Sequence, residues 1–193
     1  NTVYLNMFNK NKPIQGSLLL AEPFMLDKTF ERSVVFLCDH NSDGTFGFIL
    51  NNRTILNLAD IISIMDNIDF PIFMGGPVEP TNLFYIHRAY DKMQSGELIT
   101  KDVYLGGDFK QLLFLIQEKL ITTDEVKIFI GYCGWSENQL MEEINQNSWA
   151  VHPSFDTSLL FIDDGENLWK QALIDLGPKF AHIANFPKSP NLN

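Results

Sequence analysis

Cysteine is scarce in this chain, with two in 193 residues, Cys38 and Cys133. That excludes a disulfide scaffold and points to a reducing compartment, the cytoplasm. Basic residues are also short, 14 Lys and Arg against 24 Asp and Glu, for a formal net charge of −10. The average field therefore repels nucleic acid and anionic membranes, and direct nucleic-acid binding is disfavoured. The longest basic cluster is a pair, His87-Arg88. No apolar run approaches the ~20 residues that a membrane span needs. No signal peptide is visible, although a chain that starts at Asn1 rather than Met leaves a removed leader open. There is no G-x-G-x-x-G and no phosphate-binding P-loop, and no spacing of His, Cys and carboxylates demands a metal. Neither a cofactor nor a metal is expected.

What remains is a globular composition. Apolar residues make up 45% and charged residues 20%, with 16 Phe that have no polar handle and belong in a core. Residues 1–15 are polar and read as an irregular arm, and 16–193 as one domain. Strands are expected at Ser17 to Leu20, Ser33 to Asp39, Thr45 to Asn51, Ile72 to Met74, Leu83 to His87, Val103 to Leu105, Val126 to Tyr132, Trp149 to His152 and Leu159 to Ile162. Asp43-Gly44 marks a hairpin between the second and third of these.

Four helices are expected. The first has Leu58, Ile61, Ile62, Met65 and Ile68 on one face behind Asn57, and the second follows Asp108 with Leu112 and Ile116 inward. The third opens on the S-x-x-Q box Ser136 to Gln139, and the fourth carries Leu168, Trp169, Ala172, Leu173 and Leu176 up to Gly177-Pro178. The tail from Asn185 to Asn193 should be extended. Strands and helices mix without βαβ alternation, which favours α+β over a doubly wound sheet.

No motif carries a reaction. Gly106-Gly107 before a helix outlines an anion site, but Asp108 would occupy those N–H groups itself. Gly75-Gly76-Pro77 reads as a tight turn or a ligand-facing loop. In Gly131-Tyr132-Cys133-Gly134-Trp135 the Trp is too large for a nucleophile elbow. If Asp39 faces Thr45 across the hairpin, Ser33 falls opposite Asn51 and Arg32 beside Asn52, an open-end cluster able to hold a carboxylate or phosphate. In the plainer reading, Arg32 ties the preceding loop to the strand end. His40 then lies about 26 Å away along the strand, too far to share a small site with Arg32.

Taken together, several segments resemble the YqgE/AlgH family: Ala21-Glu22-Pro23-Phe24 with Asp27, Phe30 and Arg32-Ser33; Gly75-Gly76-Pro77-Val78 with His87; Gly131-Tyr132 with Gly134-Trp135 and Gln139; and Trp149, Leu168-Trp169 and Pro190-Asn191. The resemblance spans about Gly16 to the end of the chain. It implies an α+β domain with a complex branched, mostly antiparallel sheet, partly closed like a small barrel and surrounded by about four helices. The AlgH name carries a suggestion of transcriptional regulation in alginate production. No catalytic residues come with the resemblance. Asn52-Arg53, Cys133 and His152 depart from the family's usual residues.

The expectation is a non-enzymatic regulatory module that binds a small anionic ligand or a protein partner through Arg32, Ser33, Asn51 and the Gly75, Gly76 and Pro77 loop. The enzyme alternative is a hydrolase or transferase with His40 or His87 as base beside Asp39 or Glu79. A third reading, a regulator acting directly on DNA, conflicts with the charge.

Overall fold

The computed structural model describes residues 11–65 and 67–188. The expected arm therefore lies outside the described residues except for 11–15, as does the end of the expected tail. Among the described residues, ten strands form one branched sheet: β1 (Leu18–Ala21), β2 (Val34–Asn41), β3 (Gly44–Ile49), β4 (Arg53–Asn57), β5 (Pro71–Met74), β6 (Val78–His87), β7 (Glu97–Thr100), β8 (Val103–Leu105), β9 (Val126–Ser136) and β10 (Trp149–His152). The main path runs β10-β1-β2-β3-β9-β6-β8-β7, and β4 and β5 branch from it. Every pairing is antiparallel except β5 with β9.

β9 is the hub. Its first half pairs with β5 from Ile128 to Ile130, and its end pairs with β3 from Cys133 to Ser136. Gly131 lies between the two ladders, with φ +68° and room for no side chain, since a Cβ there would sit 2.3 Å from the Gly76 carbonyl oxygen. The path also curls. Gln15 donates to the Ile99 carbonyl and Gly16 lies against Thr100, so β7 returns towards the segment that enters β1.

The apolar runs are explained by burial on both faces. Leu18, Leu20, Val34 and Phe36 pack with Leu168, Trp169, Ala172 and Leu173 of α5 (Gly165–Leu176). Leu19, Ala21, Val35 and Leu37 point the other way, towards Leu140 and Ile144 of α4 (Gln139–Asn145). Alternate residues of one strand thus feed two separate cores. A third core lies under α3 (Phe109–Gln117), against β5, β6 and the start of β9. Three one-turn helices complete the α-helical set: α1 (Leu58–Ile61), α2 (Tyr90–Met93) and α6 (Pro178–Ala181).

Four expectations need correction. The first helix stops after one turn, because Ile62 is extended and a 3-10 turn at Ser63–Met65 returns Met65 to the core beside Leu58. Leu159 to Ile162 is not a strand: Asp156 accepts from the Ser158 N–H and starts a 3-10 helix at Thr157–Phe161. Ser136 closes β9 instead of opening a helix, although its N–H does donate to Gln139 Oε1. The hairpin carries a bulge between Leu37 and Asp39, so His40 rather than Asp39 faces Thr45. Beyond the bulge Val35 faces Ile49, the expected register, and Ser33 and Asn51 are brought to the same end. β4 and β7 went unread because neither is a continuous apolar run; Arg53, Ile55, Glu97 and Leu98 are all exposed.

Candidate functional site

At the open end of the β2–β3 hairpin, the β1–β2 loop, Asn51 and the start of α5 enclose a crevice of about 200 Å³. Arg32 ends the loop in a left-handed conformation, φ +50°, which a bulky residue adopts only when its surroundings hold it there. Asn51 does the holding. Its Nδ2 donates to the Arg32 and Gly165 carbonyls, 2.9 Å each, and its Oδ1 accepts from the Val34 N–H at 2.9 Å. The guanidinium lies over Trp169, 4.8 Å from the ring centre, and donates to Glu166 at 2.8 Å and to the Phe186 carbonyl at 2.6 Å.

Charge in this crevice runs against that of the chain. Arg32 and Lys188 of the lining, and Lys170 one turn further along α5, converge on Glu166 at 2.8, 2.7 and 3.5 Å, so three cations meet one carboxylate. The Glu166 carboxyl is held below its ordinary range, first by the Lys188 hydrogen bond and then by the charges of all three cations. Lys28 also lines the crevice and is paired with Glu31. Arg32 and Ser33 are 5% and 3% exposed, and Arg32 Nε and Ser33 Oγ have no hydrogen-bond partner. The N-cap residue Asp164 makes no side-chain cap, which leaves the first N–H groups of α5 uncapped by it.

The other expected residues are dispersed. Pro77 lines a different cavity, described below. Gly75 and Gly76 have a packing reason: a Cβ would sit 2.4 Å from the Gly131 oxygen at the first and 2.2 Å from the Tyr132 carbonyl at the second. His40 shares a 2.6 Å hydrogen bond with Thr45 Oγ1, while Asp39 accepts from Asn41. Glu79 accepts from Asn82. His87 is fully buried between Tyr85 and Tyr104. Its Nδ1 accepts from the Ala89 N–H, so Nε2 carries the proton and donates to the Ser95 and Gly106 carbonyls. Burial lowers its pKa against those two bonds. The pairings of His40 or His87 with Asp39 or Glu79 are therefore not formed. The structure does pair His152 with Asp175, at 2.7 Å. Asp108 caps α3 by accepting from the Gln111 N–H, as its position implied.

The larger cavity, about 500 Å³, lies over the opposite core. One wall is the β1–β2 loop with Glu22, Met25, Leu26, Asp27 and Phe30; the other is formed by Pro77-Val78, the end of β9, α4 and Trp149. Glu143 is its organising residue. Its Oε2 accepts from the indole N–H groups of Trp135 and Trp149, at 2.9 and 2.7 Å, and its Oε1 accepts from Gln139 at 3.0 Å. Burial raises the Glu22 carboxyl. Burial also pushes the Cys133 thiol up to about 12, so it stays protonated. Sequence reasoning passed over this groove, although segments quoted for the family resemblance meet in it: Glu22, Asp27, Phe30, Pro77-Val78, Gly134-Trp135, Gln139 and Trp149. Apart from Pro77, which belongs to the loop expected to face a ligand, each looks structural in isolation.

Among the described residues, no three His, Cys, Asp or Glu side chains are gathered so as to hold a metal ion, and no helix is long and apolar enough to cross a membrane. Elsewhere Lys127 is 2% exposed, donates to the Leu50 and Ile162 carbonyls and lies over Phe73; burial lowers its pKa to about 7.

An AlgH-like family model matches residues 18–181. A UPF0301 protein of Parabacteroides distasonis is 40% identical over 196 residues, covering 98% of each chain. One from Cytophaga hutchinsonii is 37% identical over 180 residues, covering 93% of this chain and 98% of its own. The solution structure of the AlgH protein from Pseudomonas aeruginosa superimposes with a TM-score of 0.69 at 26% identity, over 93% of this chain and 98% of that one. Protein DIP2367 from Corynebacterium diphtheriae shares the fold, with a TM-score of 0.76 at 19% identity over 94% and 97% of the two chains.

Proposed function

We propose that this chain, which belongs to the YqgE/AlgH family, is a non-enzymatic regulatory module that senses a small anion in the crevice formed by Arg32, Ser33, Asn51 and the start of α5. The observation that carries this reading is the reversal of charge: a chain of net charge −10 gathers Arg32, Lys170 and Lys188 around the single carboxylate of Glu166. Glu166 occupies the position that a ligand carboxylate or phosphate would take. Two features favour an oxyanion there. The α5 N-terminus lends its partial positive charge, and Ser33 Oγ stands buried without a partner in the same lining. An incoming anion would displace Glu166 from the lysines and take over their bonds. The binding energy would thereby be coupled to the placement of α5 against the β1–β2 loop. Asn51 positions both by their carbonyls and is a positioning residue rather than a contact.

Titration with inorganic phosphate and with succinate, followed by the backbone amide resonances of Ser33 and Glu166, tests this. Saturable shifts in the millimolar range are expected, and they should be lost in Arg32→Ala and weakened several-fold in Lys188→Ala, where a 66%-exposed side chain is removed without harm to the fold. No saturable shift with either anion, or unchanged binding in Arg32→Ala, would overturn the proposal.

A further inference from the structure

The groove beside Glu143 has the opposite chemistry, and it is built independently of the crevice. Three carboxylates line it, Glu22, Asp27 and Glu143, and none belongs to an ion pair among the described residues. Glu143 is the most informative of them. Its bonds come from two indole N–H groups and one amide, all neutral, so its three donors hold its position without cancelling its charge. Neutral donors stabilise a carboxylate in its charged form, so Glu143 presents a fixed negative charge that a cation entering the groove would meet.

The shape narrows the occupant. The carboxylates are not gathered so as to hold a metal ion. They sit on separate walls: Glu22 and Asp27 on the β1–β2 loop, and Glu143 on α4. Between them the surface is apolar. Leu26, on the loop wall, is 94% exposed, and Val78, opposite, is 37% exposed. A lone exposed Leu needs no explanation, but one on the wall of an acidic groove offers a seat for an apolar side chain. Negative charge on both walls with apolar ground between suits an extended chain with neighbouring basic residues flanked by aliphatic ones, since successive side chains point to opposite sides. Lys and Arg fit such a site with both parts, since their methylene stems cover apolar surface while their heads reach carboxylates.

We propose that this groove docks an extended segment of a partner protein in which two adjacent basic residues, Arg or Lys, are flanked by aliphatic residues, one basic head meeting Glu143 and the other the Glu22–Asp27 wall. The two sites would let one module read a small anion and a basic partner on different faces of the same β1–β2 loop. The loop contributes Arg32 and Ser33 to the crevice, and Glu22 and Asp27 to the groove.

The indole N–H resonances of Trp135 and Trp149 report directly on Glu143 and give the readout. The probe is the peptide acetyl-Leu-Arg-Lys-Leu-amide, titrated into the full chain at ~50 mM salt. Both indole signals should shift and saturate, with affinity falling at least tenfold in the Glu22→Gln/Asp27→Asn double variant and on raising salt, since exposed charges are screened. Both substitutions conserve size, and unchanged amide spectra elsewhere would show that the fold is kept. Three results would each overturn the proposal. The first is no shift up to millimolar peptide. The second is an equal shift with a peptide carrying citrulline and Gln in place of Arg and Lys, or with butylammonium at the same concentration. The third is the same shift on concentrating the protein alone, which would assign the groove to a second copy.

Discussion

The crevice at Arg32 and the groove at Glu143 share one loop but manage charge in opposite ways. In the crevice a buried cation is answered by charge: Arg32 has a carboxylate, a carbonyl and an aromatic face, with only its Nε left without a partner. In the groove a carboxylate is answered only by neutral donors. The first arrangement stabilises without any ligand. The second leaves charge in want of a counter-ion. A site that satisfies itself can be opened only by competition, whereas one that does not can gain from simple addition.

Removing the central group on each side separates them. Arg32→Ala removes a buried cation that three elements rely on, and should lower unfolding stability by about 3 kcal/mol in a urea melt. The lysines remaining on Glu166 keep the loss from being larger. Glu143→Leu leaves two indole N–H groups without their acceptor, for about 2 kcal/mol. An equal or smaller loss for Arg32→Ala would mean that the crevice is no better compensated than the groove.

Acid gives the subtlest contrast. Glu166 has a folded pKa below its ordinary 4.5, so its contribution is present above that value and is lost as pH falls through the folded value. Glu22 is the reverse: burial raises its folded pKa above 4.5, so its charge lowers stability at neutral pH, and protonation relieves that as pH falls. Glu166→Gln should flatten the acid loss of stability, and Glu22→Gln should steepen it slightly. Chemical melts between pH 3 and pH 7 check both signs, and a shared sign would dissolve the distinction.

The motif segments pointed to the family, and the family-model match and relatives bear that out. The α+β class was legible too, because strands and helices mix without βαβ alternation, whereas the branched, mostly antiparallel sheet was implied only by the family resemblance. The cluster of Arg32, Ser33 and Asn51 does meet at one hairpin end, but through two departures that cancel: the pairing at the turn is one residue off the expected one, and the bulge restores the register beyond it. The bulge at Cys38 was not legible, because one extra residue changes the pairing without changing the pattern.

The sequence by itself determined which stretches must be buried and where the hairpin turns, since both are local consequences of side-chain chemistry and backbone freedom. Only the tertiary structure decided that Glu166 would meet Arg32 across 134 positions, and that Trp135 and Trp149 would share Glu143. The crossing of β9 between two ladders sets the second meeting, and the packing of α5 on the sheet through Leu168 and Trp169 sets the first. Neither leaves a periodicity in the chain, because a long-range contact is fixed by how the elements pack and not by the spacing of residues within any one of them.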